Sequence, residues 1–207
     1  MDIFFILRIM VSYLLGSISG SMVIGKLKNV DIRNMGSGNA GGTNAFRTQG
    51  ALFALGVIII DILKGFVAVY YIGIGSGNIN TLALICGFAS VLGHVYPIYY
   101  NFKGGKGAGT LIGVLLALPL PSFTILLLIL IWLLIIVMTG YVGLGTILTG
   151  LAFPIYLYIS PDSISNELMG FGIACSLLII FTHRSNIERM MKGEENQFEK
   201  IMIFKKK

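Results

Sequence analysis

The residues of this chain that could do chemistry lie in three short polar stretches set between long apolar ones. The first, 36–47, reads GSGNAGGTNAFR. Its glycines at 36, 38, 41 and 42 let backbone amides approach a ligand, and successive N–H groups of this kind make an anion-binding concavity. Thr43 reads as the N-cap of a short helix over 44–49, with Gly50 as its stop. A helix N-terminus favours phosphate. Arg47, one turn after Thr43, adds a guanidinium that can grip a phosphate at two points. The second stretch, 101–110, reads NFKGGKGAGT. Here Lys103 and Lys106 are point charges among Gly104, Gly105 and Gly107 at the start of a helix. A nucleotide-triphosphate P-loop needs Ser or Thr directly after Gly-Lys and follows a strand; this chain has Gly107 there and an apolar helix before it. The third stretch is His183-Arg184-Ser185-Asn186-Ile187-Glu188, with His183 and Asn186 on one helical side.

Each stretch alone has a plain structural reading. The first could be a connecting loop, the second a basic anchor at a membrane boundary, and His183 a side chain reaching for the interface. Two anion-binding loops together with a His/Asn pair point to a phosphorylated substrate.

Composition sets what carries them. Of 207 residues, 56% are hydrophobic and 12% charged, and the mean hydropathy is +0.87. Soluble domains carry about 25% charged residues. The chain therefore reads as one all-α polytopic membrane domain, 1–207, with about seven transmembrane helices. These fall at 3–24, 51–74, 81–98, 111–118, 123–138, 141–159 and 167–181. The fourth and fifth flank Pro119 and Pro121 and read as a hairpin whose first helix starts near Gly107; one long kinked helix is the alternative. Segment 3–24 does not read as a cleaved signal, because Asp2 replaces the basic start and Arg8 interrupts the apolar core. Asp61 and Lys64, at i and i+3 inside the second span, read as an ion pair facing the bundle interior.

The net charge of +6 sits in a few loops and the C-terminus, which suits membrane orientation better than nucleic acid. Thirteen of the fifteen Lys and Arg residues lie in 26–47, 103–106 or 184–207, and the turns at 75–80, 119–122 and 160–166 have none. The N-terminus is expected outside, the C-terminus and both glycine-rich loops in the cytoplasm. Cys86 and Cys175 sit in apolar spans, and His94 and His183 show no convergent acidic or thiol partners, so no metal or other cofactor is expected. The tail from 188, mixing Met190, Met191, Phe198, Ile201 and Phe204 with basic residues up to Lys205–Lys207, reads as an interfacial segment drawn to anionic lipid.

GSGNAGGTNAFRTQG, GHVYPIYYNFKGGKGAGT and THRSNIERMMKG, in that order, resemble the three signature segments of the bacterial acyl-phosphate:glycerol-3-phosphate acyltransferases. The resemblance covers the whole chain. It implies transfer of a fatty acyl group from acyl phosphate to the 1-hydroxyl of glycerol 3-phosphate, giving lysophosphatidic acid and phosphate, at the cytoplasmic face of a bacterial inner membrane. It implies that Ser37, Arg47 and Lys106 hold glycerol 3-phosphate and that Thr43 and Asn44 bind the acyl-phosphate group. Gly104, Gly105 and Gly107 match the glycine-rich second segment, and His183 and Asn186 the functional pair of the third. Gly41-Gly42 departs from the family pattern where a bulkier pair is common. Gly143 departs where a hydroxyl is common, with Thr139 or Thr146 as substitutes.

No Asp or Glu lies in the first two segments, so the phosphate of the acyl donor is expected to take the proton. Acyltransferases using acyl-CoA or acyl carrier protein carry His-x4-Asp. This chain has His183-x4-Glu188, and helical residues five apart are rotated by about 140°. A transporter of a phosphorylated metabolite would place polar groups at midplane, and a noncatalytic scaffold would leave the anion-binding loops without a purpose. The orientation has a direct check. A reporter fused at Asn78 should read external and one at Lys207 cytoplasmic; an external tail would cut both glycine-rich loops off from a cytosolic substrate.

Overall fold

In lipid an unpaired backbone amide has no water to turn to, so an apolar chain must pair its backbone within helices. A computed structural model describes residues 2–74, 81–160 and 164–203. The expected turn at 75–80, Asp162 and the polybasic Lys205–Lys207 lie outside the described residues. Among the described residues every regular element is helical, and the chain divides into two compact units, Met1–Pro119 and Leu120–Lys207.

The first unit holds α1 (Ile3–Gly16), α2 (Gly20–Leu27), α3 (Gly42–Gln49), α4 (Ala51–Val67), α5 (Thr81–Val95) and α6 (Ala108–Ala117). The expected first span is not one helix. It breaks after Gly16 and bends by 46° into α2. Serine and glycine at 16–20 weaken the helix here, and Ser17 Oγ donates back to Tyr13 O at 2.9 Å. The two helix ends freed by the break find charges on α4: Ile18 O accepts from Lys64 Nζ, and the Gly20 N–H donates to Asp61 Oδ1. A cation thus meets a helix C-terminus and an anion meets an N-terminus, each with the sign the helix dipole favours.

α4 runs on as a π segment, Ala68–Ile74, so Ala51–Ile74 is one span-length element at the expected bounds, and Thr81–Tyr100 is another. α6 starts where expected, after Gly107, whose φ of 91° suits glycine. Residues 118–121 are non-helical, which separates α6 from α7 as two helices instead of one kinked one. Leu118 and Leu120 each precede a proline, which disfavours the helical conformation at both.

Small residues set the helix spacing. Cβ atoms at Gly16 and Gly93 would strike the backbone of Ser90 and of Tyr13, so α1 and α5 pack backbone to backbone. Gly65 and Gly113 do the same for α4 and α6, against Thr110 O and Ile62 O.

The second unit holds α7 (Ser122–Thr139), α8 (Val142–Ile159), α9 (Asn166–Thr182) and α10 (Arg184–Met191), with a 51° bend between α9 and α10 at His183. The tail read as interfacial packs on its own chain. It folds back along the end of α7: the Phe198 N–H donates to Gly140 O, the Ile203 N–H to Val137 O and Gln197 Nε2 to Thr139 O.

By length and hydropathy, three elements among the described residues qualify as spans (Ala51–Ile74, Thr81–Tyr100 and Val142–Ile159), or five if α1 with α2 and α9 with α10 each count as one. α6 and the apolar stretch of α7 are shorter.

Two glycine substitutions separate packing from propensity. Gly113→Val should lower the melting temperature in detergent, because overpacking at a backbone contact costs about 1–3 kcal/mol. Gly170→Ala, in α9 with nothing within 4 Å of the added carbon, should hold or raise it, since Ala is favoured in a helix by about 1 kcal/mol. A Gly113→Val protein as stable as wild type would contradict the close α4–α6 contact.

Candidate functional site

The first glycine-rich loop is folded around one side chain. Asn44 is 1% exposed, and its amide nitrogen donates to Ile32 O, Met35 O and Asn39 O, each at 3.0 Å. Its Oδ1 accepts from the Ser37 N–H at 3.0 Å. One buried amide therefore gathers residues 32–39 into a ring. A Cβ on Gly36 would run into Asn44 Oδ1. This hold on Asn39 also turns the chain into α3 before Thr43 is reached: the helix starts at Gly42 with Gly41 as its cap, and Thr43 is its second residue, not its N-cap. Gly50 closes the helix as expected, at φ 84°. Arg47 and Thr43 are half-buried on α3, and Ser37 is exposed.

Below the ring, Asp31 accepts two charged hydrogen bonds from Arg33, Nη2 to Oδ2 at 2.7 Å and Nε to Oδ1 at 3.0 Å. The hydrogen-bonded guanidinium holds the Asp31 carboxyl below its usual range, and the carboxylate in turn raises Arg33. Arg33 Nη1 also reaches Tyr100 O at 3.3 Å, tying the first loop to the segment that enters the second.

The second loop lies on α5. The Gly105 N–H donates to His94 O at 3.1 Å, and a Cβ on Gly105 would strike the His94 ring. Gly105 and Gly107 are buried, Lys106 is half-buried and Lys103 exposed. Beneath this loop sits a polar cluster that the sequence reading found only in part. The expected Asp61–Lys64 pair is made, at 3.0 Å, and both residues are buried. His94 joins it: Nδ1 is 2.8 Å from Lys64 Nζ and 3.4 Å from Asp61 Oδ1. His94 therefore has an acidic neighbour after all. The signal available was a charged pair inside one span with an imidazole at the end of the next.

In the second unit His183 stands at the bend between α9 and α10, 5% exposed, so it does not reach outward to the interface. Its Nδ1 lies 2.8 Å from Ile179 O. A carbonyl only accepts, so Nδ1 carries a proton, and in the neutral ring Nε2 holds the lone pair. The Asn186 N–H donates to His183 O at 2.8 Å, which sets the pair side by side.

Asn186 Nδ2 donates to Glu195 Oε1 at 2.8 Å, and Arg189 Nε to Glu195 Oε2 at 2.7 Å. Glu195, 7% exposed, is the carboxylate that sequence reasoning missed, hidden in a tail read by its composition. Glu188 instead pairs with Lys192 at the surface, at 2.9 Å. Asn186 also explains Gly143, where a Cβ would come within 2.7 Å of Asn186 Nδ2. The hydroxyls of Thr139 and Thr146 donate to their own helices, at Ile135 O and Val142 O.

The structure thus joins Ser37 to Asn44 and Gly105 to His94 in the first unit, and His183 to Asn186 in the second. The profile of the glycerol-3-phosphate acyltransferase family matches residues 6–193. A glycerol-3-phosphate acyltransferase of Chlorobaculum tepidum is 40% identical, covering 93% of this chain and 96% of its own. The one from Aquifex aeolicus is 42% identical, covering 90% and 95%. Two solved structures of PlsY, an integral membrane glycerol 3-phosphate acyltransferase, superpose with TM-scores of 0.86 and 0.84 at 37% and 36% identity, each covering 94% of this chain and 95% of the other. The first is a glycerol 3-phosphate form and the second a lysophosphatidic acid form.

The ring around Asn44 yields a prediction. Asn44→Asp removes the donors to three carbonyls and places a carboxylate among them, so it should cost at least the ~1–3 kcal/mol of an unsatisfied buried group. Thr48→Ala, which loses only a hydroxyl bond to Asn44 O, should cost less. Melting in detergent, with limited proteolysis across 32–42, reads both. An Asn44→Asp protein as stable and protease-resistant as wild type would remove Asn44 from the centre of the loop.

Proposed function

The chain belongs to the glycerol-3-phosphate acyltransferase family, and from that premise we propose that it moves a fatty acyl group from acyl phosphate to the 1-hydroxyl of glycerol 3-phosphate. The products are lysophosphatidic acid and phosphate, and the site faces the cytoplasm at a bacterial inner membrane. The observation that carries the proposal is the match to solved relatives in two ligand forms, whose ligands differ by one acyl ester. That difference is the reaction.

Arg47 and Lys106 neutralise the phosphate of glycerol 3-phosphate, with Ser37 beside them. Backbone amides at Thr43 and Asn44 hold the acyl-phosphate group. The Asn44 side chain is committed to the loop, so its part is to shape the amides around it. Gly104, Gly105 and Gly107 present the second loop's amides. His183 and Asn186 orient the reacting groups.

The attacking oxygen forms a C–O bond to the acyl carbonyl carbon, the mixed-anhydride C–O bond breaks, and the hydroxyl proton leaves on the phosphate. An acyl phosphate is activated enough to need no stronger base.

Purified protein in liposomes should release phosphate and lysophosphatidic acid in equal amounts from acyl phosphate and glycerol 3-phosphate, and give no product with acyl-CoA. Product from acyl-CoA alone would overturn the donor assignment. Arg47→Ala and Lys106→Ala should each lower kcat/KM for glycerol 3-phosphate about ten- to a hundredfold, the worth of a charged hydrogen bond. Wild-type kinetics in either folded variant would take that residue out of the site.

A further inference from the structure

Lys64 fixes a protonation pattern that acyl transfer does not itself require. Its Nζ lies 2.6 Å from Ile18 O, 3.0 Å from Asp61 Oδ1 and 2.8 Å from His94 Nδ1. An ammonium has three N–H donors and no lone pair. A charged Lys64 in contact with all three leaves each of them to accept, His94 Nδ1 included, although that nitrogen also lies 3.4 Å from Asp61 Oδ1. The neutral imidazole then carries its proton on Nε2.

That nitrogen faces the second glycine loop. A Cβ on Gly105 would collide with Nε2 and lie 2.8 Å from Cε1 and 3.1 Å from Cδ2. The Gly105 N–H is bonded to His94 O, and a Cβ on Gly104 would strike the same carbonyl. The loop backbone rests on the histidine, ring and carbonyl both, directly before Lys106. His94 itself is 3% exposed, and Asp61 Oδ1, on the far side, is held by the Gly20 N–H.

We propose that His94 is a positioning residue for the glycerol 3-phosphate site. Asp61 and Lys64 lock it as the Nε2–H tautomer, and the ring so locked holds residues 104–107 in the form that presents their amides and Lys106 to the substrate phosphate. The proposal rests on the functional reading of that loop. A purely structural cluster would support the helices without any bearing on substrate affinity.

The chain has two histidines, which makes the tautomer directly readable by nitrogen-15 NMR of histidine-labelled wild-type protein in nanodiscs, with His183→Gln assigning the signals. His94 should show a protonated Nε2 and an unprotonated Nδ1, and glycerol 3-phosphate should shift its Nε2 resonance. A His94 proton on Nδ1, or resonances indifferent to bound glycerol 3-phosphate, would overturn the proposal. His94→Asn supplies the kinetic arm. Its side-chain oxygen can replace Nδ1 as the acceptor for Lys64, but nothing replaces Nε2–H. KM for glycerol 3-phosphate should rise about tenfold, with kcat, the KM for acyl phosphate and the melting temperature near wild type. A folded His94→Asn protein with wild-type KM, or one whose only change is a lower melting temperature, would also overturn it. Failure of the functional reading is seen separately, as absence of lysophosphatidic acid formation by wild-type protein.

Discussion

The first unit depends on one ammonium. Lys64 lies in a span, where an unmatched charge is costly, and its three donors are met by groups from three elements: Ile18 O at the break after α1, Asp61 on α4 and His94 on α5. The helix break supplies the first of them and frees the Gly20 N–H for Asp61. A continuous helix through 16–20 would bond Ile18 O and the Gly20 N–H internally, leaving Lys64 and Asp61 short of partners. Removing either member of such a buried pair leaves an uncompensated charge, which costs several kcal/mol. The bend of the first span, the pairing inside the second and the ring orientation at the end of the third are one solution to one problem.

The two glycine-rich loops hang from this frame by different means. The second rests on His94 and needs glycine at 105 for want of room. The first is wound around Asn44, a neutral side chain whose two amide N–H groups are shared among three carbonyls while its oxygen accepts from a fourth backbone group. Arg33 bridges them through Tyr100 O. In the second unit Glu195 does for Asn186 what Lys64 does for His94: it occupies one end of a polar side chain and so fixes the direction of the other. In all three places a buried or half-buried partner fixes the direction of a polar side chain, the preorganisation that the proposed binding of a charged ligand would call for.

Much of this was legible in the sequence, for local reasons. The bounds of Ala51–Ile74, the stop at Gly50 and the start of α6 after Gly107 follow from apolar run lengths and from glycine at positive φ. The Asp61–Lys64 pair follows from helical spacing. What escaped depends on contacts distant in sequence. His94 finds Asp61 across 33 positions of chain, as their numbers show. Glu195 is buried only because the tail folds back on α7, which no composition reveals. The break at 16–20 was hidden by its apolar neighbours, although its run of serine and glycine was the available sign. Thr43 was a sound cap by type, but the helix starts one residue earlier, at Gly42 with Gly41 as its cap.

The claim on which the functional reading turns is that the loops wound around Asn44 and seated on His94 hold a substrate phosphate. An experimental structure with glycerol 3-phosphate bound measures this directly. Phosphate oxygens should lie within hydrogen-bond distance, about 2.7–3.2 Å, of both the Arg47 guanidinium and the Lys106 ammonium, with the amides of 104–107 turned toward them. A phosphate bound away from both side chains, or held by the exposed Lys103 alone, would contradict it.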